Sequence, residues 1–155
     1  MRITICAVGR LRAGPERELV DDYTQRFERT GRQLGLTGLT LREIEAKKGG
    51  MDKEAELLSR AVPTGARLIC LDERGKLMTS PDFAHHLAAW RDDGVGEAAF
   101  IIGGADGIAT ALRSRADLSL SFGKMVWPHM LARAMLCEQL YRAASILAGS
   151  PYHRV

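Results

Sequence analysis

The sequence predicts an α/β protein, a mostly parallel sheet of about five strands with helices on both faces. Three observations carry this. Short apolar runs alternate with segments of three- and four-residue apolar spacing along the 155 residues. Several runs are apolar throughout, as strands covered on both faces must be. Glycine or proline marks nearly every junction, and no repeat, low-complexity stretch or linker divides the chain, so residues 1–155 read as a single domain.

Each element has its own signal. Ile3–Val8 is a continuous apolar run, ended by Gly9. Pro15 opens a helix through about Arg29, with Leu19, Val20, Tyr23 and Phe27 on one face. Leu36–Ile44 shows the partial alternation of a second strand. A basic loop, Lys47-Lys48-Gly49-Gly50, precedes a helix from about Asp52 to Ala61. Pro63-Thr64-Gly65 breaks the chain before a third strand, Arg67–Asp72, and Glu73-Arg74-Gly75-Lys76 reads as a turn. Ser80-Pro81 starts a helix through Trp90, which Asp92-Asp93-Gly94 stops. Glu97–Ile102 is the fourth strand and runs into Gly103-Gly104-Ala105-Asp106-Gly107. A short helix, Ile108–Arg115, leads to a fifth strand, Leu118–Phe122, then to the bend Met125-Val126-Trp127-Pro128. The last helix spans about His129 to Ala148 and is closed by Gly149 and Pro151.

That last helix is unusually apolar. Leu136, Leu140, Ala143 and Leu147 form one stripe, and Met130, Ala134, Cys137, Tyr141, Ala144 and Ala148 form a second beside it. Two stripes exceed the apolar arc of a surface helix, and a second copy of the chain is the expected cover for one of them, giving a homodimer. His129, Arg133, Glu138, Gln139 and Arg142 are then expected near the seam or the site.

Composition narrows the class. The net charge of +3 and a pI near 8.9 permit a nucleic-acid partner without requiring one. No apolar run is long enough for a membrane span, and the N-terminal run lacks the features of a signal peptide. Cys6, Cys70 and Cys137 are odd in number and lack C-x-x-C spacing, which suits a reducing, cytoplasmic setting and core packing, with no metal site expected.

Ligands of parallel sheets bind outside the carboxyl ends of the strands. Three loops are therefore candidates: after Leu71, at Gly103–Gly107 and at Phe122–Pro128. Neither Gly9–Gly14 nor Gly103–Gly107 has the spacing of a dinucleotide or triphosphate loop, although the glycines of the second admit a ligand close to the backbone. His85-His86 lacks companions for a metal site, and no nucleophile–base set marks hydrolysis. The terminal Tyr152-His153-Arg154 is a plausible nucleic-acid contact set: an aromatic to stack, an imidazole to move a proton and a guanidinium for phosphate.

Taken together, Ile102–Gly107, Leu118–Met125 leading to Pro128-His129, Glu138–Ala143 and Tyr152-His153-Arg154 resemble the RlmH family. These are pseudouridine N3-methyltransferases of large-subunit ribosomal RNA, within the SPOUT knotted methyltransferases. Ile3–Gly9 and Leu71-Asp72 with Gly75-Lys76 fit as well, so the likeness covers essentially the whole chain. The resemblance implies a SPOUT-type α/β fold with a C-terminal trefoil knot, a homodimer, and S-adenosylmethionine bent among the three loops. Leu71, Gly103 and Phe122, Gly123, Lys124, Met125, Val126 and Trp127 match the cofactor contacts. Val126 and Gly123 depart from the family pattern, where Thr and Ser are frequent, so binding there would run through the backbone. No metal is implied.

The chemistry left to the protein is alignment and removal of the N3 proton. His153, or else His129, is expected to assist deprotonation. Arg154 and Arg142 are expected to hold phosphate or developing charge, and Tyr152 to position the base, with the tail of one subunit able to complete the other's site. The minimal chain implies a pre-shaped substrate, ribosomal RNA within the assembled ribosome, with Arg10, Arg12, Lys47 and Lys48 as backbone contacts. A flavodoxin-like nucleotide-binding module and a non-catalytic ribosome-associated protein are the alternatives.

Overall fold

A computed structural model describes residues 1–154. Its elements are β1 (Arg2–Val8), α1 (Pro15–Gly31), β2 (Leu39–Ile44), α2 (Gly50–Ala61), β3 (Arg67–Leu77), α3 (Ser80–Asp92), β4 (Glu97–Ile102), α4 (Thr110–Arg113), β5 (Leu118–Ser121) and α5 (His129–Leu147), with a 3₁₀ turn at Arg32–Leu34. The strands form one sheet in the order β2-β1-β4-β3-β5, every pairing parallel. Val155, named in the tail above, lies outside the described residues.

The two-residue period of the strands sorts the core into two layers. Ile3, Ile5 and Ala7 of β1, with Ile69, Phe100 and Ile102, face α1, α3 and α5. Cys6, Val8, Leu68, Cys70, Ala99 and Ile101 face the other way, onto Leu58 of α2 and Leu112 of α4. Burial pushes the thiols of Cys6 and Cys137 up to about 11 and that of Cys70 to about 12.

Two elements differ from the sequence expectation. The segment Glu73–Lys76, expected as a turn, continues β3. After an irregularity between Leu71 and Lys76, Lys76 and Leu77 pair with Leu120 and Ser121 of β5. Gly75 allows this close approach, since a Cβ there would sit 2.7 Å from the Ser119 carbonyl. The second difference is α5. It lies between α1 and α3 over the sheet, with Leu136, Leu140, Ala143 and Ala144 fully buried by the chain's own elements. Its double stripe therefore does not itself demand a second copy, because two flanking helices and the sheet supply the cover.

The smaller shifts have local causes. β2 starts at Leu39, because Arg32–Leu34 makes a 3₁₀ turn that Gly35 ends at φ 74°. The short helix shrinks to Thr110–Arg113. Among the described residues no helix is long and apolar enough to cross a membrane.

Candidate functional site

At one edge of the sheet the irregular part of β3 (Leu71–Arg74) meets the loops after β4 and β5. They enclose a cavity of about 650 Å³, within the usual range for a small-molecule site. Leu71, Gly103, Phe122, Gly123, Met125, Val126 and Trp127 all line it, and so does His129 at the start of α5. Lys124, expected in the same group, is exposed and does not line the cavity.

Leu71, Ile102, Ile108, Phe122, Trp127 and Ala132 supply apolar wall, and Asp72, Glu73, Arg74 and His129 supply the polar residues of the lining. Gly107 and Gly123 adopt φ of 82° and 119°, and a Cβ at either would meet nothing within 4 Å, so their peptide groups border open space. Gly103 is packed instead: a Cβ there would lie 2.5 Å from the Gly107 carbonyl oxygen. The Ser121 hydroxyl accepts from the Gly123 N–H at 3.1 Å and lies 3.0 Å from the Glu73 carbonyl, which ties the β5 loop to the β3 extension. Met125 and Val126 are 75% and 80% exposed, so one lip of the cavity is an apolar flap.

Asp72 joins the cavity-lining part of β3 to α4. Its carboxylate, 6% exposed, accepts from Arg74 at 3.1 Å and from Arg113 of α4 at 3.1 Å. Arg113 gave no signal in the sequence, because its partner is 41 residues away.

The tail residues gather at the opposite end of α5. Glu138 Oε1 accepts from Arg142 Nη2 at 2.6 Å and from the Tyr152 hydroxyl at 2.9 Å. Arg142 stacks over the Tyr152 ring at 4.7 Å, and its Nη1 lies 3.3 Å from His153 Nδ1. A guanidinium only donates, so Nδ1 accepts in this contact. The Glu138 carboxylate raises the Arg142 pKa. Burial, and then hydrogen bonding to Tyr23 and Glu138, pushes the Tyr152 hydroxyl well above its ordinary range, so it remains a neutral donor. Arg154 is exposed. Tyr152, His153 and Arg142 thus form one cluster, whereas His129 belongs to the cavity. Arg142 lies thirteen positions along the helix from His129, about 20 Å at 1.5 Å per residue.

Arg133, expected near a seam or the site, stands one helical turn from His129 but does not line the cavity. It is fully buried beneath the cavity wall, where Nη1 pairs with Glu43 at 3.0 Å and Nη2 donates to the carbonyls of Val8 (3.0 Å) and Gly9 (3.1 Å). Burial lowers its pKa and Glu43 opposes that shift. His86 packs edge-on against Trp90 at 4.5 Å, a packing role. Among the described residues no three His, Cys, Asp or Glu side chains gather as a metal site would require.

Comparison with known proteins gives the following matches. A family model described as predicted SPOUT methyltransferase matches residues 1–153. The ribosomal RNA large subunit methyltransferase H of Cereibacter sphaeroides is 65% identical over the full length of both chains. The protein of the same name from Dinoroseobacter shibae is 64% identical over the same full span. Among solved structures, a probable methylase family protein from Haemophilus influenzae superposes with a TM-score of 0.50 at 11% identity, covering 99% of this chain and 70% of that one. That likeness concerns the fold alone.

Proposed function

The chain belongs to the SPOUT methyltransferase family, as a relative of the ribosomal RNA large subunit methyltransferases H, and from that premise we propose a specific reaction. It transfers a methyl group from S-adenosylmethionine to N3 of a pseudouridine in large-subunit ribosomal RNA, on the assembled ribosome. The observation that carries this reading is the cavity at the strand ends, where the three loops marked in the sequence meet around open glycine peptides and apolar walls.

The residues present fit the cofactor. Leu71, Ile102, Ile108 and Trp127 offer an apolar slot for an adenine ring, and the Gly103–Gly107 and Phe122–Trp127 backbones offer its hydrogen-bond partners. When bound, S-adenosylmethionine supplies a methyl group already activated on a sulfonium centre. The protein then has to orient the nucleophile and manage one proton, with no metal required.

Orientation falls to the tail cluster. Tyr152 stacks on or brackets the base, Arg142 and Arg154 hold phosphate or the negative charge that develops on the ring, and His153 assists loss of the N3 proton, with His129 the alternative base on the cavity side. The contact between Arg142 and His153 Nδ1 must open if His153 is to accept a proton there. Since the cluster and the cavity lie at opposite ends of one helix, we assign the two halves of each site to different subunits of a homodimer, acting in the cytoplasm. The groove beside the cavity, lined by Leu77, Met78, Phe83, Leu120 and Met135, offers apolar surface for such an interface.

Two measurements test the reading. Calorimetry should detect S-adenosylmethionine and not FMN or NAD; the reverse outcome identifies a flavodoxin-like module. Mass-spectrometric mapping of ribosomal RNA from a deletion strain should lack one methylated pseudouridine. An unchanged map with the cofactor still bound would leave a non-catalytic ribosome-associated protein.

A further inference from the structure

The loop between β1 and α1 is exposed and basic, yet it is anchored like part of the core. Leu11 inserts its side chain, 5% exposed, while its neighbours Arg10 and Arg12 point to solvent. The Leu11 N–H donates to the Glu43 carboxylate, and its carbonyl accepts from Arg17 at 3.3 Å. Gly9, at φ 90°, and Val8 give their carbonyls to the buried Arg133, which is itself paired with Glu43. One buried guanidinium and one carboxylate therefore fix both the start of the loop and its middle. A loop tip without a task would not need such an anchor, which places a charged group out of water.

The loop also borders the cavity. A Cβ on Gly9 would lie 3.0 Å from Met130 Cε and 3.7 Å from Nε2 of His129, a cavity-lining residue. Nearby arginines are neutralised on their own helix, Arg17 by Asp21 and Arg26 by Asp22. Arg10 and Arg12 make no ion pair or side-chain hydrogen bond among the described residues. The loop after β2, with Lys47 and Lys48 exposed, lies alongside, since Gly9 N–H donates to the Ile44 carbonyl at 2.8 Å.

We propose that the Arg133–Glu43 pair presents Arg10 and Arg12 as a preformed docking surface for the sugar-phosphate backbone of the RNA, beside the mouth of the methyl-donor cavity. The inference rests on the reading of the chain as an RNA methyltransferase. Guanidinium forks suit phosphate oxygens, and a rigid loop avoids the ordering cost that flexible arginines would incur on binding. In this arrangement Arg133 and Glu43 are positioning residues, and Arg10 and Arg12 set where the substrate lies relative to the cavity.

The test uses the full chain and purified large ribosomal subunits, with binding measured by co-sedimentation across a salt series and methyl transfer measured in parallel. For Arg10→Ala/Arg12→Ala, the apparent Kd for subunits should rise about tenfold at moderate salt. The slope of log affinity against log salt should fall by about one per guanidinium removed. The KM for S-adenosylmethionine and the melting temperature should stay at the parent values, and Arg10→Lys/Arg12→Lys should recover most of the slope. An unchanged Kd and slope overturn the proposal. A weaker Kd with an unchanged slope also overturns it, because the contact would then be to something other than phosphate, such as a ribosomal protein. Since sedimentation does not require methyl transfer, a wild-type chain that binds subunits with the expected slope but transfers no methyl group defeats the proposed reaction and not the docking surface.

Discussion

The two ends of α5 are built on opposite principles. Its N-terminal end closes a cavity with much apolar wall and with glycines at positive φ in its rim. Its C-terminal end carries a dense side-chain cluster in which Glu138, Arg142, Tyr152 and His153 hold one another. The first end suits a small cofactor that must be gripped on all sides. The second suits part of a large polyanion that arrives with its own shape. About 20 Å of helix lies between them, too far for both to touch the same reacting atom. This separation is what supports the proposal that the two halves of a site come from different subunits.

Removing the tail is the strongest way to break the comparison. Tyr152→Ala/His153→Ala/Arg154→Ala should lower the rate of methyl transfer at saturating cofactor by about a thousandfold, with calorimetric affinity for S-adenosylmethionine unchanged. A parallel loss of cofactor affinity would place the tail in the same chain's cavity. The next effect comes from the other end. Gly103→Val pushes a side chain into the Gly107 carbonyl and should weaken cofactor binding at least a hundredfold. Mixing and refolding these two inactive variants should restore about a quarter of the wild-type rate, the share expected from one complete site in half of the dimers. No recovery would return both halves to one chain.

Arg133→Met sharpens the contrast, because the residue stands one helical turn from His129 yet serves the scaffold. It should cost about 3 kcal/mol of stability in denaturant titration, from the unpaired Glu43 and the two carbonyls left without a donor. Glu138→Gln is expected to have the smallest effect. It keeps the shape of the tail cluster but removes the charge that holds Arg142 and should slow methyl transfer about tenfold, with cofactor affinity intact.

The residues that read clearly in the sequence are those whose neighbours in the chain are also their neighbours in space. Ile3–Val8 and Glu97–Ile102 are apolar enough to be central strands wherever they pair, and Pro128 and Gly149 bracket α5 by local backbone geometry alone. The cavity loops were legible for a similar reason, since parallel sheets put their ligands at the carboxyl ends of strands. The cover of α5 was not legible. An apolar helix face shows that something packs on it, and only the tertiary arrangement reveals α1 and α3 as the partners. Glu73–Lys76 reads as a turn because one acid, two bases and a glycine carry no apolar period; pairing with β5 makes it a strand. Arg133 was the least readable residue. Its charge argues for solvent or a site, and its partners Glu43 and Val8 lie 90 and 125 residues away.

The buried cysteines have a practical consequence. At neutral pH, thiols displaced to about 11 and 12 hold almost no thiolate, and each is shielded from reagents in solution. Cys6 and Cys70 report on one side of the sheet and Cys137 on the other, so the rate at which each is alkylated would time the opening of either layer without any introduced label.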